Sequence, residues 1–231
     1  MYIELIKYTP EPEKTVAIAA RVCYSPRNAK EIYENMSDEE VKKLIRFLIK
    51  AGHHSAIEHA SFTFIVDGIS RACSHQLVRH RLASYSQQSQ RYVEYKRNLE
   101  YVTPQSIKDK KDLSQKFVEF QQQSFNLYKY FLKNKISSED ARYVLSNAFP
   151  TQIIITMNAR ELLHFFTLRC CERAQWEIRE MAYRMLNKVK EVAPTIFEHA
   201  GPPCFRGRCP EGEMMCENPP KEEEILEKYL S

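Results

Sequence analysis

The chain has 231 residues, 43% of them hydrophobic, and its 34 basic against 30 acidic side chains leave a net charge of +4. That length and apolar content suit one compact, helix-rich single domain, which buries roughly 70 to 75% of its unfolded surface and folds without staples. The near balance of charge excludes the lysine-rich excess of a dedicated nucleic-acid binder, and seven cysteines, an odd count with Cys170 beside Cys171, read as reduced thiols and exclude a disulfide framework.

In chain order, residues 1–8 alternate as a strand does and lack the basic start and apolar run of a signal peptide, which points to the cytoplasm. Ser37-Asp-Glu-Glu40 is a capping-box pattern opening a helix whose inner face is Val41, Leu44, Ile45 and Leu48, with Gly52 as its stop. Residues 61–69 set Phe62, Phe64 and Val66 against Thr63 and Ile65, a strand pattern, and a helix is predicted over 70–81.

Leu113, Phe117, Phe120, Leu127 and Phe131, with Ser124 filling a gap, predict a long helix over 112–133 whose seam is core or subunit contact. Residues 151–157, with three consecutive isoleucines, predict a buried strand, followed by a helix through Arg160, Leu163, His164 and Leu168 and a last helix over 175–192 that ends before Pro194. Tyr143 to Ala159 is the longest uncharged stretch; Asn147, Pro150 and Gln152 interrupt it, so no membrane span is expected.

After Ala200 the sequence fills with helix breakers and cysteines, and residues 201–231 form a Cys/Pro-rich tail that cannot be a long regular element. Cys204, Cys209 and Cys216 with His199 lack the C-x-x-C knuckle of a metal site, so the tail thiols are expected to be reduced and accessible, with no metal. His53-His-Ser-Ala-Ile-Glu58-His59 also fails the spacing of a zinc hydrolase, because His54 and His59 are five apart. It reads as a turn in which His53 and Ser55 line a pocket.

The strongest chemical signal is Arg79-His-Arg-Leu-Ala-Ser-Tyr-Ser-Gln-Gln-Ser-Gln-Arg-Tyr92, which holds three arginines and no carboxylate. Guanidinium forks, hydroxyls and amides together suit a phosphorylated small molecule. No G-x-G-x-x-G or P-loop pattern exists among the five glycines, so any nucleotide must be gripped by side chains. The alternative is a single-stranded nucleic-acid binding protein that uses these arginines with Tyr85, Tyr92 and Tyr95 for phosphate contact and stacking.

Arg79-His80-Arg81 followed after seven residues by Ser89, then Arg91-Tyr92, resembles the signature of the flavin-dependent thymidylate synthases. The resemblance extends in order through Cys23-Tyr24-Ser25, Gly52-His53, Glu58-His59, Asn158-Ala-Arg160, His164-Phe165, Leu168-Arg169 and Ala174-Gln-Trp-Glu-Ile178. It implies an α+β fold with an antiparallel sheet flanked by helices, a catalytic domain over residues 1–200, and a homotetramer with active sites at subunit interfaces. The implied reaction is reductive methylation of dUMP to dTMP, with methylenetetrahydrofolate as carbon donor and NADPH as reductant through bound FAD, and no cysteine nucleophile.

By the same resemblance, Gln76, Arg79, Gln87, Gln88, Ser89, Gln90, Arg91, Arg142 and Arg169 surround the nucleotide. Ser55, Arg79, His80, Arg81, Gln87, Asn158, Arg160 and His164 surround the flavin. His53 sits where folate and flavin meet, and Arg169 favours ionisation of the pyrimidine. Many members carry Asn-Glu where this chain has Ser86-Gln87, so an amide that can accept no proton replaces a carboxylate.

Overall fold

A computed structural model of the chain describes residues 1–96, 100–219 and 221. The elements run β1 (Tyr2–Tyr8), α1 (Pro12–Val22), α2 (Ala29–Asn35), α3 (Asp38–Ala51), β2 (Ser61–Ser70), α4 (Arg71–Leu77), β3 (Ala83–Gln87), α5 (Gln105–Lys108), α6 (Lys111–Lys133), α7 (Ser138–Ala141), β4 (Pro150–Asn158), α8 (Ala159–Arg169) and α9 (Trp176–Val192). The four strands form one antiparallel sheet in the order β1-β2-β4-β3, so the α+β class is as expected. Among the described residues no helix is long and apolar enough to cross a membrane.

Within this fold the chain packs as two compact units, one made of Met1–Tyr2, Val66–Arg79 and Ser86–Ile153, the other of Ile3–Ile65, His80–Tyr85 and the chain from Ile154 onward. In the second unit α3 begins at the expected reciprocal cap: the Glu40 amide donates to Ser37 Oγ at 3.4 Å, and the Ser37 amide donates to Glu40 Oε2 at 3.0 Å. Gly52, at φ 74°, takes the left-handed turn that closes the helix, so a side chain there would add backbone strain. Val41, Ile45 and Leu48 are buried. The rings of Phe62 and Phe166 both meet Phe197 edge-on, at 5.5 and 5.9 Å.

The core of the first unit is Tyr95, Phe125, Tyr128, Ala141 and Phe149. Here the predicted face of the long helix is corrected in part, since Ser124 is buried as expected and Phe131 packs against this core. α6 buries Gln121, Ser124, Phe125 and Tyr128, while Leu113, Phe120 and Leu127 remain exposed. Polar residues take inner positions because each has a partner: Ser124 Oγ donates to the Val144 carbonyl at 2.6 Å, and Gln121 Oε1 accepts from Ser146 Oγ at 2.5 Å.

Two further expectations change. β4 is half-buried, not fully buried: Thr151, Ile153, Ile155 and Met157 face in while Ile154 is 36% exposed, because successive side chains of a strand point to opposite faces. The helix predicted to reach residue 81 ends at Leu77, and β3 follows as an unpredicted strand at the edge of the sheet. In Ala-Ser-Tyr-Ser-Gln only Ala83 and Tyr85 supply apolar surface to the half-buried face, too short a pattern to mark a strand, as suits an edge.

Candidate functional site

The second unit contains a buried polar chain that starts at the cap of α8. Asn158 Oδ1 accepts the Glu161 amide at 2.9 Å, which sets Glu161 in the first turn of the helix with its carboxylate turned inward and 5% exposed. Glu161 Oε1 lies 3.2 Å from His80 Nδ1, and His80 Nε2 lies 3.0 Å from Arg169 Nε, at the other end of α8. A guanidinium nitrogen can only donate, so His80 Nε2 accepts and the proton sits on Nδ1, facing Glu161. The result is one fixed orientation for Arg169.

Burial lowers the His80 pKa to about 4, and Arg169 and then His164 push it the same way. His80 is therefore a neutral imidazole at neutral pH, and its contact with Glu161 is a hydrogen bond and not an ion pair. Burial raises the Glu161 carboxyl above its ordinary range. Tyr85 closes the group, its hydroxyl donating to the His80 carbonyl at 2.9 Å; burial raises its phenol too, so it stays protonated.

This arrangement fixes a pH dependence. An unfolded histidine with a pKa of 6.5 binds a proton that folded His80 rejects until about pH 4, so stability is full above 6.5 and falls as pH drops through that window. The shift corresponds to about 3 kcal/mol. Urea unfolding of wild type should show that loss on acidification, and His80→Gln should lose the slope. Glu161 acts in the opposite direction in both proteins, so it cancels from the comparison. An identical slope in the variant would rule out His80 as its source.

The remaining expected residues of this unit are more open. His53 and Ser55 are exposed, the His53 ring lying 6.2 Å from that of Phe47. Arg81 and His164 are exposed, and Arg160 pairs with Glu58 across the surface. The segment 53–59 forms the expected turn, with a 3-10 stretch at Ala56–His59. Cys170 is fully buried, and burial raises its thiol far above the ordinary range, so it is no nucleophile.

In the first unit, Gln87 and Gln88 lie beside the start of β4. Gln87 Nε2 donates to Thr151 Oγ1 at 3.2 Å, and the Gln88 amide donates to the Gln152 carbonyl at 3.0 Å. Ser89 Oγ caps the following turn by accepting the amides of Arg91 and Tyr92, and Gln90 is buried with no partner for its Nε2 among the described residues. Such an orphaned donor invites an acceptor from outside the chain.

The basic segment holds no acid of its own, yet Arg91 has one from elsewhere: its Nε donates to Glu139 Oε2 at 2.6 Å. Arg142 Nε donates to the Glu139 carbonyl at 3.0 Å. The sequence reading missed Arg71, which is half-buried, is pushed down by burial and by neighbouring Arg142, and has no carboxylate partner among the described residues. Gln76 is half-buried on α4; Arg79 beyond it is exposed and, like Arg81, lacks an acidic partner among the described residues. The half-buried Arg71 guanidinium and the unpartnered Gln90 Nε2 make this unit suited to an anion.

Residues 4–195 match the thymidylate synthase complementing protein family. A flavin-dependent thymidylate synthase of Geobacter sulfurreducens is 52% identical over 217 residues, covering 94% of each chain. That of Clostridium tetani is 48% identical over 93% of this chain and 92% of its own. Among solved structures, a UMP/dUMP methylase, PolB from Streptomyces cacaoi bound with 5-Br dUMP, superposes with a TM-score of 0.75 at 26% identity, covering 85% of this chain and 93% of that one.

Proposed function

Because the chain belongs to the thymidylate synthase complementing protein family, the flavin-dependent thymidylate synthases, we propose that it methylates dUMP to dTMP with methylenetetrahydrofolate as carbon donor and NADPH as reductant. FAD, when bound, would supply the redox chemistry that links NADPH to the transferred carbon. The donor set suits it: Ser55, Arg79, Arg81, Gln87, Asn158, Arg160 and His164 offer guanidinium, imidazole, amide and hydroxyl groups for a diphosphate and a polar ring, in a chain with no glycine cradle, whereas the buried His80 ring, expected among them, is committed to Glu161 and Arg169 and supports the set from behind.

The observation that carries the reading is the Glu161–His80–Arg169 chain. A guanidinium held from behind by a neutral imidazole keeps its full charge and cannot swing away. Placed against the pyrimidine, it stabilises the ring as an anion and so raises electron density at the carbon to be alkylated. Glu161 and His80 act through Arg169. The nucleotide is held by Gln76, Arg79, Gln87, Gln88, Ser89, Gln90, Arg91 and Arg142, to which we add Arg71 for its half-buried guanidinium, and His53 lies where folate and flavin meet. Gln87 positions by hydrogen bonds alone.

The protein is further read as a cytoplasmic homotetramer with active sites at subunit interfaces and with no nucleic-acid or membrane partner. The exposed apolar residues of α6, Leu113, Val118, Phe120 and Leu127, support a subunit contact. Residues 1–200 form the catalytic part and 201–231 an appended tail. Anaerobic mixing of flavin-loaded protein with NADPH, methylenetetrahydrofolate and dUMP should yield dTMP. Flavin that binds and is reduced without any dTMP would overturn the reaction.

A further inference from the structure

Arg169 is the last residue of α8, the place where a helix ordinarily frays because its final carbonyls have no partner within it. His80 holds the tip of the Arg169 side chain; its root is held from α9. Cys170, the next residue, is fully buried. Its amide donates to the Phe166 carbonyl at 3.0 Å, and its carbonyl accepts from the Tyr183 hydroxyl at 2.6 Å. Tyr183 is itself 3% exposed, so this bond is made away from water, and the peptide groups on both sides of Cys170 are fixed.

One helical turn before Tyr183, Arg179 grips the chain that leads from α8 into α9. Its Nη1 donates to the Glu172 carbonyl at 2.6 Å and to the Ala174 carbonyl at 3.3 Å, and lies 2.9 Å from Glu172 Oε2. Its Nε is buried without a partner among the described residues, a desolvation cost accepted to keep Nη1 on the turn. A further turn back, Gln175 Oε1 caps α9 by accepting the amides of Glu177 and Ile178 at 3.1 and 3.2 Å. Residues 175, 179 and 183 stand four apart and share one face of the helix. The tail meets the same end of α8 at the surface, where Arg206 donates to Thr167 Oγ1 at 3.0 Å and Arg173 pairs with Glu211. Those contacts are open to water and are the weaker hold.

We propose that Tyr183 and Arg179 are positioning residues, which fix the backbone just beyond Arg169 and so keep its guanidinium where it meets the pyrimidine. This rests on the role given to Arg169 above. Both residues lie outside the groups assigned to the ligands and act through the peptide that follows Arg169. A side chain as long as arginine amplifies a small rotation of its backbone, so a frayed helix end would draw Arg169 Nε off His80 Nε2. Tyr183 offers the cleaner test, because Tyr183→Phe keeps the ring and deletes a single donor.

Tyr183→Phe should slow single-turnover formation of dTMP by roughly 10- to 100-fold, the loss that follows when a catalytic group is misplaced by about an ångström, with affinity for dUMP unchanged. In an Arg169→Ala background the same substitution should cost nothing more, whereas a tyrosine that only stabilises the fold would slow both proteins alike. Arg179→Gln should repeat the pattern with a smaller loss, and takes over the test if Tyr183→Phe does not fold. The geometry is also read without the reaction, from the nitrogen–proton correlation of Arg169 Nε in flavin-loaded protein, identified by its loss in Arg169→Ala. That signal should exchange slowly in wild type and broaden in Tyr183→Phe. If wild type makes no dTMP, the reaction is refuted and the clamp is judged by this signal alone: broadening upholds it. An unchanged signal, an unchanged rate in folded Tyr183→Phe where wild type is active, or equal losses in both backgrounds would each overturn it.

Discussion

Arg169→Ala is expected to slow single-turnover formation of dTMP by roughly 100- to 1000-fold, the cost of deleting one preorganised donor aimed at developing charge, while the flavin absorbance of the loaded protein is unchanged. The size follows from the way the residue is held. Its Nε is 3.0 Å from His80 Nε2, His80 is kept neutral by burial, and Glu161 fixes the far nitrogen of the ring. None of these groups moves to meet the substrate, so no reorganisation offsets the gain when the pyrimidine ionises. Arg169→Lys should recover little, because a lysine amine has no nitrogen in the plane of a fork to rest on the imidazole while another faces outward. A single-turnover rate within about threefold of wild type in Arg169→Ala, against the 100-fold loss expected of such a donor, would remove it from the reaction.

What sequence reveals here divides along a physical line. Elements whose burial repeats at the helical or strand period were legible: the stripe of α3 between Ser37 and Gly52, the alternation of Phe62, Phe64 and Val66, and the stop of α9 before Pro194. β3 was illegible because a short edge strand needs little apolar face, and the inner face of α6 was only partly legible: Ser124 lies in it as expected, but Gln121 is buried on the strength of a hydrogen bond to a residue 25 positions away. The site behaves in the same way. His80 and Arg169 fall within motifs, but their contact spans 89 positions and that of His80 with Glu161 spans 81. Glu161 looks like any acid in the first turn of a helix until its burial is known.

Arg91→Ala separates a surface pair from a ligand site. Arg91 and Glu139 are each about half exposed, with side chains at 51% and 46%, so their ion pair contributes no more than about 1 kcal/mol to folding. Thermal or urea unfolding of the variant should fall within that margin. Nucleotide binding should behave differently. Once a phosphate covers the guanidinium and excludes water, its removal leaves an unpaired anion beside Arg142 and the buried Gln90 amide, a loss of about 2 to 5 kcal/mol. Calorimetric titration of dUMP into flavin-loaded protein should therefore show affinity reduced roughly 30- to 4000-fold. Glu139→Gln supplies the opposing control: without the competing carboxylate, Arg91 is released to the phosphate and binding should hold or tighten by up to about 1 kcal/mol. Equal affinity in wild type and Arg91→Ala would remove Arg91 from the phosphate site.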